Sequence, residues 1–210
     1  MRLALTVVVA LALSGCGLLR VDETAVQRLP LESKLDLIEA ENDLFIAVDA
    51  VDEAVNRVQE TRDDAKKADA AVAEAYEALK QAEQAKDTKL AEIGRLSVLE
   101  CKQRQDFISA QEDVMWAHLD VEKAKLELAR ARYERSRAQA VKKANVEGAQ
   151  KIKLDDFDQQ VKECEGTVKK RMEAVVKQTA AAEKVRGVWY ATRRSLSTTT
   201  GGGQGSPWVE

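Results

Sequence analysis

Proline is nearly missing from this chain, with Pro30 and Pro207 the only two. Proline removes a backbone donor and clashes inside a helix, so the span between them is free to be helical almost throughout. Aromatic residues make up 4% of the sequence against 33% charged residues, which suits long helices better than a compact mixed core. Strict alternation of apolar and polar residues is absent, and strands are excluded on that ground. There is one histidine, His118, and no cysteine or carboxylate cluster is arranged with it, so it reads as a flank residue and not as a base, ligand or pH sensor. No phosphate loop, nucleophile elbow or zinc spacing occurs. The chain offers no enzyme and implies no cofactor, metal or small-molecule substrate. Its formal charge of −3 becomes −4 once residues 1–15, which carry Arg2 and no acid, are removed. A balance so close to neutral argues against a nucleic-acid partner.

Long apolar runs are also scarce, and the one that exists is at the N-terminus. Leu3 to Leu13 is interrupted only by Thr6 and follows the basic Arg2. The run is too short for a transmembrane helix of about 20 residues. It has the layout of an export signal. Leu13-Ser14-Gly15-Cys16 follows, and this tetrad resembles the lipobox of bacterial lipoproteins. The resemblance implies that a lipid is attached to the Cys16 thiol and that the signal peptidase cuts just before it, recognising Leu13, Ser14 and Gly15. Small Ser14 and Gly15 let the backbone enter a protease groove, and only a thiol forms the thioether. With each buried methylene worth about 0.8 kcal/mol, two or three acyl chains make a stable anchor in the bilayer. Gly17 stands where an aspartate commonly retains such lipoproteins at the inner membrane. The expected location is therefore the periplasmic face of the outer membrane.

The remaining chain divides by its apolar period. Residues 16–32 are expected to be a lipid anchor and short tether. From Leu44 a seven-residue repeat runs through Val51, Val58, Ala65, Val72, Leu79, Lys86 and Ile93, with Ala47, Ala54, Ala68, Ala75 and Ala82 in a companion row. The same frame continues at Phe107, Val114, Val121 and Leu128, with Ala110, Ala117, Ala124, Ala131 and Ala138 beside it. Seams of large residues and alanine allow neighbouring helices to approach closely. A last seam runs Leu154, Val161, Val168, Val175, Ala182, Trp189, Leu196, accompanied by Phe157, Cys164 and Val185. Gly94, with Ser97 and Glu100 as a capping box, predicts a tight turn, and the Asn145 to Gly148 segment predicts a second.

The expected fold is all-α, an elongated antiparallel bundle or coiled coil of three long helices over about 33–93, 97–146 and 154–196 within a domain spanning 33–197. The alternative is one very long helix, 34–146, with a return helix. In that case self-association or another coiled-coil chain would have to cover the open seam. Cys164 lies on a seam as a small buried residue, whereas Cys101 lies off it and, if exposed, would be a reactive or intermolecular thiol. Asp63-Asp64 and Asp155-Asp156 suggest metal at first sight, but helix faces and caps account for them better. The tail, 198–210, has linker composition and ends Pro207-Trp208-Val209-Glu210, so that Trp208 and Val209 form either a loose end or a peptide ligand.

His118 to Arg137, then Gly148-Ala149, then Ile152 to Asp158 resemble the tip of the α-helical hairpin in periplasmic adaptor (membrane-fusion) proteins of efflux and secretion systems. That resemblance implies end-on docking to a channel through a tip containing Asn145, Gly148, Ile152 and Phe157. Three expectations follow. The first is a scaffolding lipoprotein that binds a protein partner by coiled-coil packing, the second an accessory part of an export machine. The third is a periplasmic holdase chaperone, which would need surplus apolar surface that the Ala-rich seams do not predict.

Overall fold

The computed structural model describes residues 17–201, and 88% of these are helical. No strand occurs among them. Two short helices, α1 (Glu23–Gln27) and α2 (Leu31–Leu35), precede three long ones, α3 (Ile38–Gln84), α4 (Thr88–Ala144) and α5 (Leu154–Thr199). A 3-10 turn, Ala149–Lys151, lies between α4 and α5. The fold is an all-α antiparallel bundle in which α3 packs on α4 and α4 on α5. The lipobox Leu13-Ser14-Gly15-Cys16 and the tail residues Trp208 and Val209 lie outside the described residues.

Two compact units share the long helices. The first contains residues 17–44 and 127–164, the second residues 45–126 and 165–201. In the second unit the alanine row of α3 does the packing: Ala54, Ala68, Ala75 and Ala82 are buried together with Val58. Ala54 and Val58 meet Leu119 of α4 in one small cluster, flanked by Val51 and Met115. The outward faces of α3 carry ion pairs at helical spacing, such as Asp63 with Lys66 and Asp64 with Lys67. Such exposed, screened pairs contribute little to stability. Those lysines account for the two aspartates that superficially suggest a metal.

The turn between α3 and α4 is not at Gly94–Ser97 but at 85–87, which also excludes a single helix over 34–146. Lys86 takes the left-handed conformation, φ 54°. Its N–H donates to the Glu83 carbonyl at 3.1 Å and the Asp87 N–H to the Ala82 carbonyl at 3.2 Å, the two bonds of a Schellman C-cap. Asp87 immediately opens α4, its Oδ1 accepting from the N–H groups of Lys89 at 3.1 Å and Leu90 at 3.0 Å. The polar seam positions Lys86 and Lys89 therefore mark the turn.

Gly94 sits inside α4 for a different reason. A Cβ there would meet Leu79 Cα and Cδ1 at 3.1 Å, so glycine is what lets α3 and α4 approach. Alanine at this position gains about 0.8–1 kcal/mol of helix propensity but crowds Leu79, and the two effects nearly cancel. Gly94→Leu cannot be accommodated, and overpacking of this kind costs about 1–3 kcal/mol. Urea unfolding followed by circular dichroism is expected to rank wild type and Gly94→Ala together, well above Gly94→Leu.

Candidate functional site

A core of nine buried residues gathers at the α4–α5 hairpin end in the first unit. α4 stops at Ala144 because Asn145 turns left-handed, φ 49°, and Gly148 does so again at φ 96°. Asparagine and glycine tolerate this region best, which makes the break legible in the sequence. Ile152 is extended, and α5 begins two residues later with Asp155 and Asp156 in its first turn, where acids complement the helix dipole. Lys142 Nζ closes the loop by donating to the Ile152 carbonyl at 3.3 Å.

Onto this end the N-terminal segment is docked as a strap, not as a loose tether. The Gln160 side-chain amide grips it twice. Its Nε2 donates to the Gly17 carbonyl at 3.2 Å, and its Oε1 accepts from the Leu19 N–H at 3.1 Å. Val21 N–H donates to Glu134 Oε2 at 2.9 Å. Glu134 in turn accepts from Arg137 Nη1 at 2.8 Å through its other oxygen, and Arg137 Nη2 also bonds Glu23. Gln160, Glu134 and Arg137 are all buried. Such groups are tolerable in a core only because each is bonded.

Val21, Ala25 and Leu29, four residues apart, point one face of the strap into the hairpin. They form a core with Leu37, Ala138, Ala140, Val141, Ala149 and Phe157. Asp22 caps α1, its Oδ1 accepting from Thr24 N–H and Oγ1, each at 2.9 Å. The Thr24 backbone N–H, followed by the Thr24 hydroxyl, holds the Asp22 carboxyl below the usual range. The cap thus contributes above the ordinary carboxylate value and is lost as pH falls through the lowered one. Arg28 pairs with Glu147 on the hairpin loop, and Lys143 with Asp36 at 3.6 Å.

Asn145 and Gly148 therefore shape the loop, while Ile152 packs against the strap core and Phe157 is buried in it. Of the four residues expected at the docking tip, Ile152 and Phe157 thus contribute to the core that receives the strap, and Asn145 is exposed in the loop. Sequence pattern does not single out Glu134, Arg137 or Gln160. The i, i+4, i+8 spacing of Val21, Ala25 and Leu29 is the one signal that points to the strap they hold.

The second unit carries a separate polar feature. Glu100, expected in a capping box at Ser97, is instead buried and accepts from Trp189 Nε1 at 2.7 Å. Phe107 stacks on Trp189 with centroids 5.4 Å apart, and Tyr190 does so at 4.9 Å. Arg193 and Arg186 lie over the rings of Trp189 and Tyr190. Cys101 is half-buried and Cys164 buried, and neither forms a disulfide among the described residues. Burial, then the Glu100 charge, pushes the Cys101 thiol up to about 11. Relative to the ordinary value of 9.0, that leaves roughly a hundredfold less thiolate at neutral pH, so Cys101 is a poor nucleophile.

His118 is exposed beside a shallow groove on α3 and α4 with Ala50, Arg57, Met115 and Glu122. Contrary to the expectation of seams without surplus apolar surface, α3 exposes Phe45, Ile46, Val48 and Val55 in this unit. Among the described residues no group of three or more His, Cys, Asp or Glu side chains is placed to hold a metal ion, and no helix is long and apolar enough to cross a membrane. Comparison with family models, with curated proteins and with solved structures finds no match.

Proposed function

We propose that this chain is an acyl-anchored coiled-coil lipoprotein of the cell envelope, attached through Cys16 at the periplasmic face of the outer membrane, with a non-catalytic scaffolding or partner-docking role. The observation that carries the reading is the grip on residues 17–21. Cys16 directly precedes Gly17, whose carbonyl is held by the buried Gln160. An acyl group on Cys16 would then be joined to a packed helical end instead of a free leash. Ordering a segment costs about 1–2 kcal/mol per residue in backbone entropy, a cost that makes sense where the segment transmits position from an anchor.

The exposed side of α3 supports partner docking. Phe45 is 61% exposed, and with Val48 and Val55 at i+3 and i+10 it forms an apolar strip along one side of α3 on which another helix can pack, while the exposed Ile46 faces another direction. The reading as an accessory of an export machine is weaker, because Ile152 and Phe157 are engaged by the strap and the hairpin end sits beside the anchoring segment. The test is detergent phase separation of the protein expressed in a Gram-negative host. Wild type is expected in the detergent phase, and Cys16→Ser in the aqueous phase or as unprocessed precursor. Equal detergent partitioning of correctly processed Cys16→Ser would refute the lipoprotein reading.

A further inference from the structure

The loop at the hairpin end is rich in lysine where the strap enters it. Residues 142–153 contain four lysines, Lys142, Lys143, Lys151 and Lys153, against a single acid, Glu147. A concavity there is lined by Arg20, Lys151 and Lys153 among apolar Leu19 and Ile152. The three cations are exposed, and Leu19 is 40% exposed. Three acids line the same concavity as three cations, and two of the acids are already engaged: Glu147 pairs with Arg28, and Asp22 caps α1 with Lys151 near it. Asp156 lies in the first turn of α5, where the helix dipole offsets its charge.

We propose that this concavity is a binding site for anionic phospholipid headgroups, which seats the hairpin end on the bilayer that holds Cys16. The proposal rests on the lipoprotein reading above. Three observations carry it together. Chain continuity puts the acylated residue next to Gly17, the first of the gripped strap residues. Arg20, Lys151 and Lys153 line one concavity, offering a phosphate several donors. Leu19 and Ile152 line the same concavity, giving the mixture of apolar and cationic side chains that a headgroup and its glycerol region match. A single acyl-bearing residue leaves a protein free to swivel, and a second contact fixes its orientation.

The test uses the full acylated protein reconstituted in vesicles of phosphatidylcholine or of an equimolar phosphatidylcholine and phosphatidylglycerol mixture, with mass spectrometry confirming acyl on Cys16. A benzophenone amino acid is placed at Gln150, in the loop, or at Arg130, an exposed position of α4 about 20 Å away by helical rise. Lipid photo-adducts are expected at 150 and not at 130, rising in the anionic vesicles. With each surface cation worth about a fivefold change in affinity, the Arg20→Gln/Lys151→Gln/Lys153→Gln variant should lose the anionic enhancement at least roughly fivefold with an unchanged circular dichroism spectrum. Equal adducts at 150 and 130, or equal yields in both vesicle types, would overturn the headgroup site while leaving the anchor intact. Suppression by inorganic phosphate at matched ionic strength would reassign the concavity to a small anion. Absence of acyl on Cys16 would remove the lipoprotein reading itself.

Discussion

Trp189→Ala is expected to destabilise the second unit by about 3–5 kcal/mol, the cost of deleting a buried aromatic. Its ring is 9% exposed and stacks on Phe107, so the loss of packing alone reaches this range. The indole N–H also satisfies Glu100, itself 2% exposed, and truncation leaves that acceptor without its donor. Trp189→Phe separates the contributions: most of the packing survives, and the missing hydrogen bond to the carboxylate accounts for about 1.5–3 kcal/mol. Urea denaturation of the three proteins should give the order wild type, Phe, Ala. Indistinguishable midpoints for wild type and Phe would show that the Glu100 bond contributes nothing.

Arg137→Ala is expected to cost a similar amount, about 3–5 kcal/mol, but in the first unit. Arg137 is the cation between Glu134 and Glu23, and with it gone Glu134 remains as a buried charge without its counterion. Because Glu134 also receives the Val21 N–H, the strap should open before the hairpin does. Amide exchange over 19–29 is therefore expected to accelerate far more than exchange in the seam of α4. Combining Arg137→Met with Glu134→Gln removes both charges, keeps the stem packing and retains an acceptor for Val21, so much of the stability should return. Failure of the double variant to recover would assign the loss to packing and not to charge.

These two sites show what periodicity does and does not reveal. The seams are legible because apolar residues recurring every seven positions form one continuous stripe on a helix, and a stripe of that kind must be covered: Val58, Val114, Val121, Ala182, Trp189 and Leu196 are all buried. For α4 a single seam is too few, since the helix packs against both α3 and α5 and buries Val98, Ile108 and Leu119 off that line. The first turn falls at 85–87 and not at Gly94 because glycine signals two different things, a left-handed cap or a close approach. At Gly94 it is the second, while the cap is Lys86, a residue type with no turn signature. Asp87-Thr88 is the better sign. The strap is hidden for another reason: its interactions are long-range. Gln160 meets Leu19 across 141 positions of sequence, and Glu134 meets Val21 across 113. No local pattern encodes such pairings, and only the spacing of Val21, Ala25 and Leu29 hints at a packed face.

The fate of Cys16 decides whether this chain is an acyl-anchored lipoprotein, and the intact mass of the protein extracted from envelopes measures it directly. The expected result is a chain that begins at residue 16 and carries diacylglycerol or three acyl chains on the cysteine, so that the gripped Gly17 is the second residue of the mature protein. A mass corresponding to an unmodified chain, or to cleavage at any other position, would contradict it.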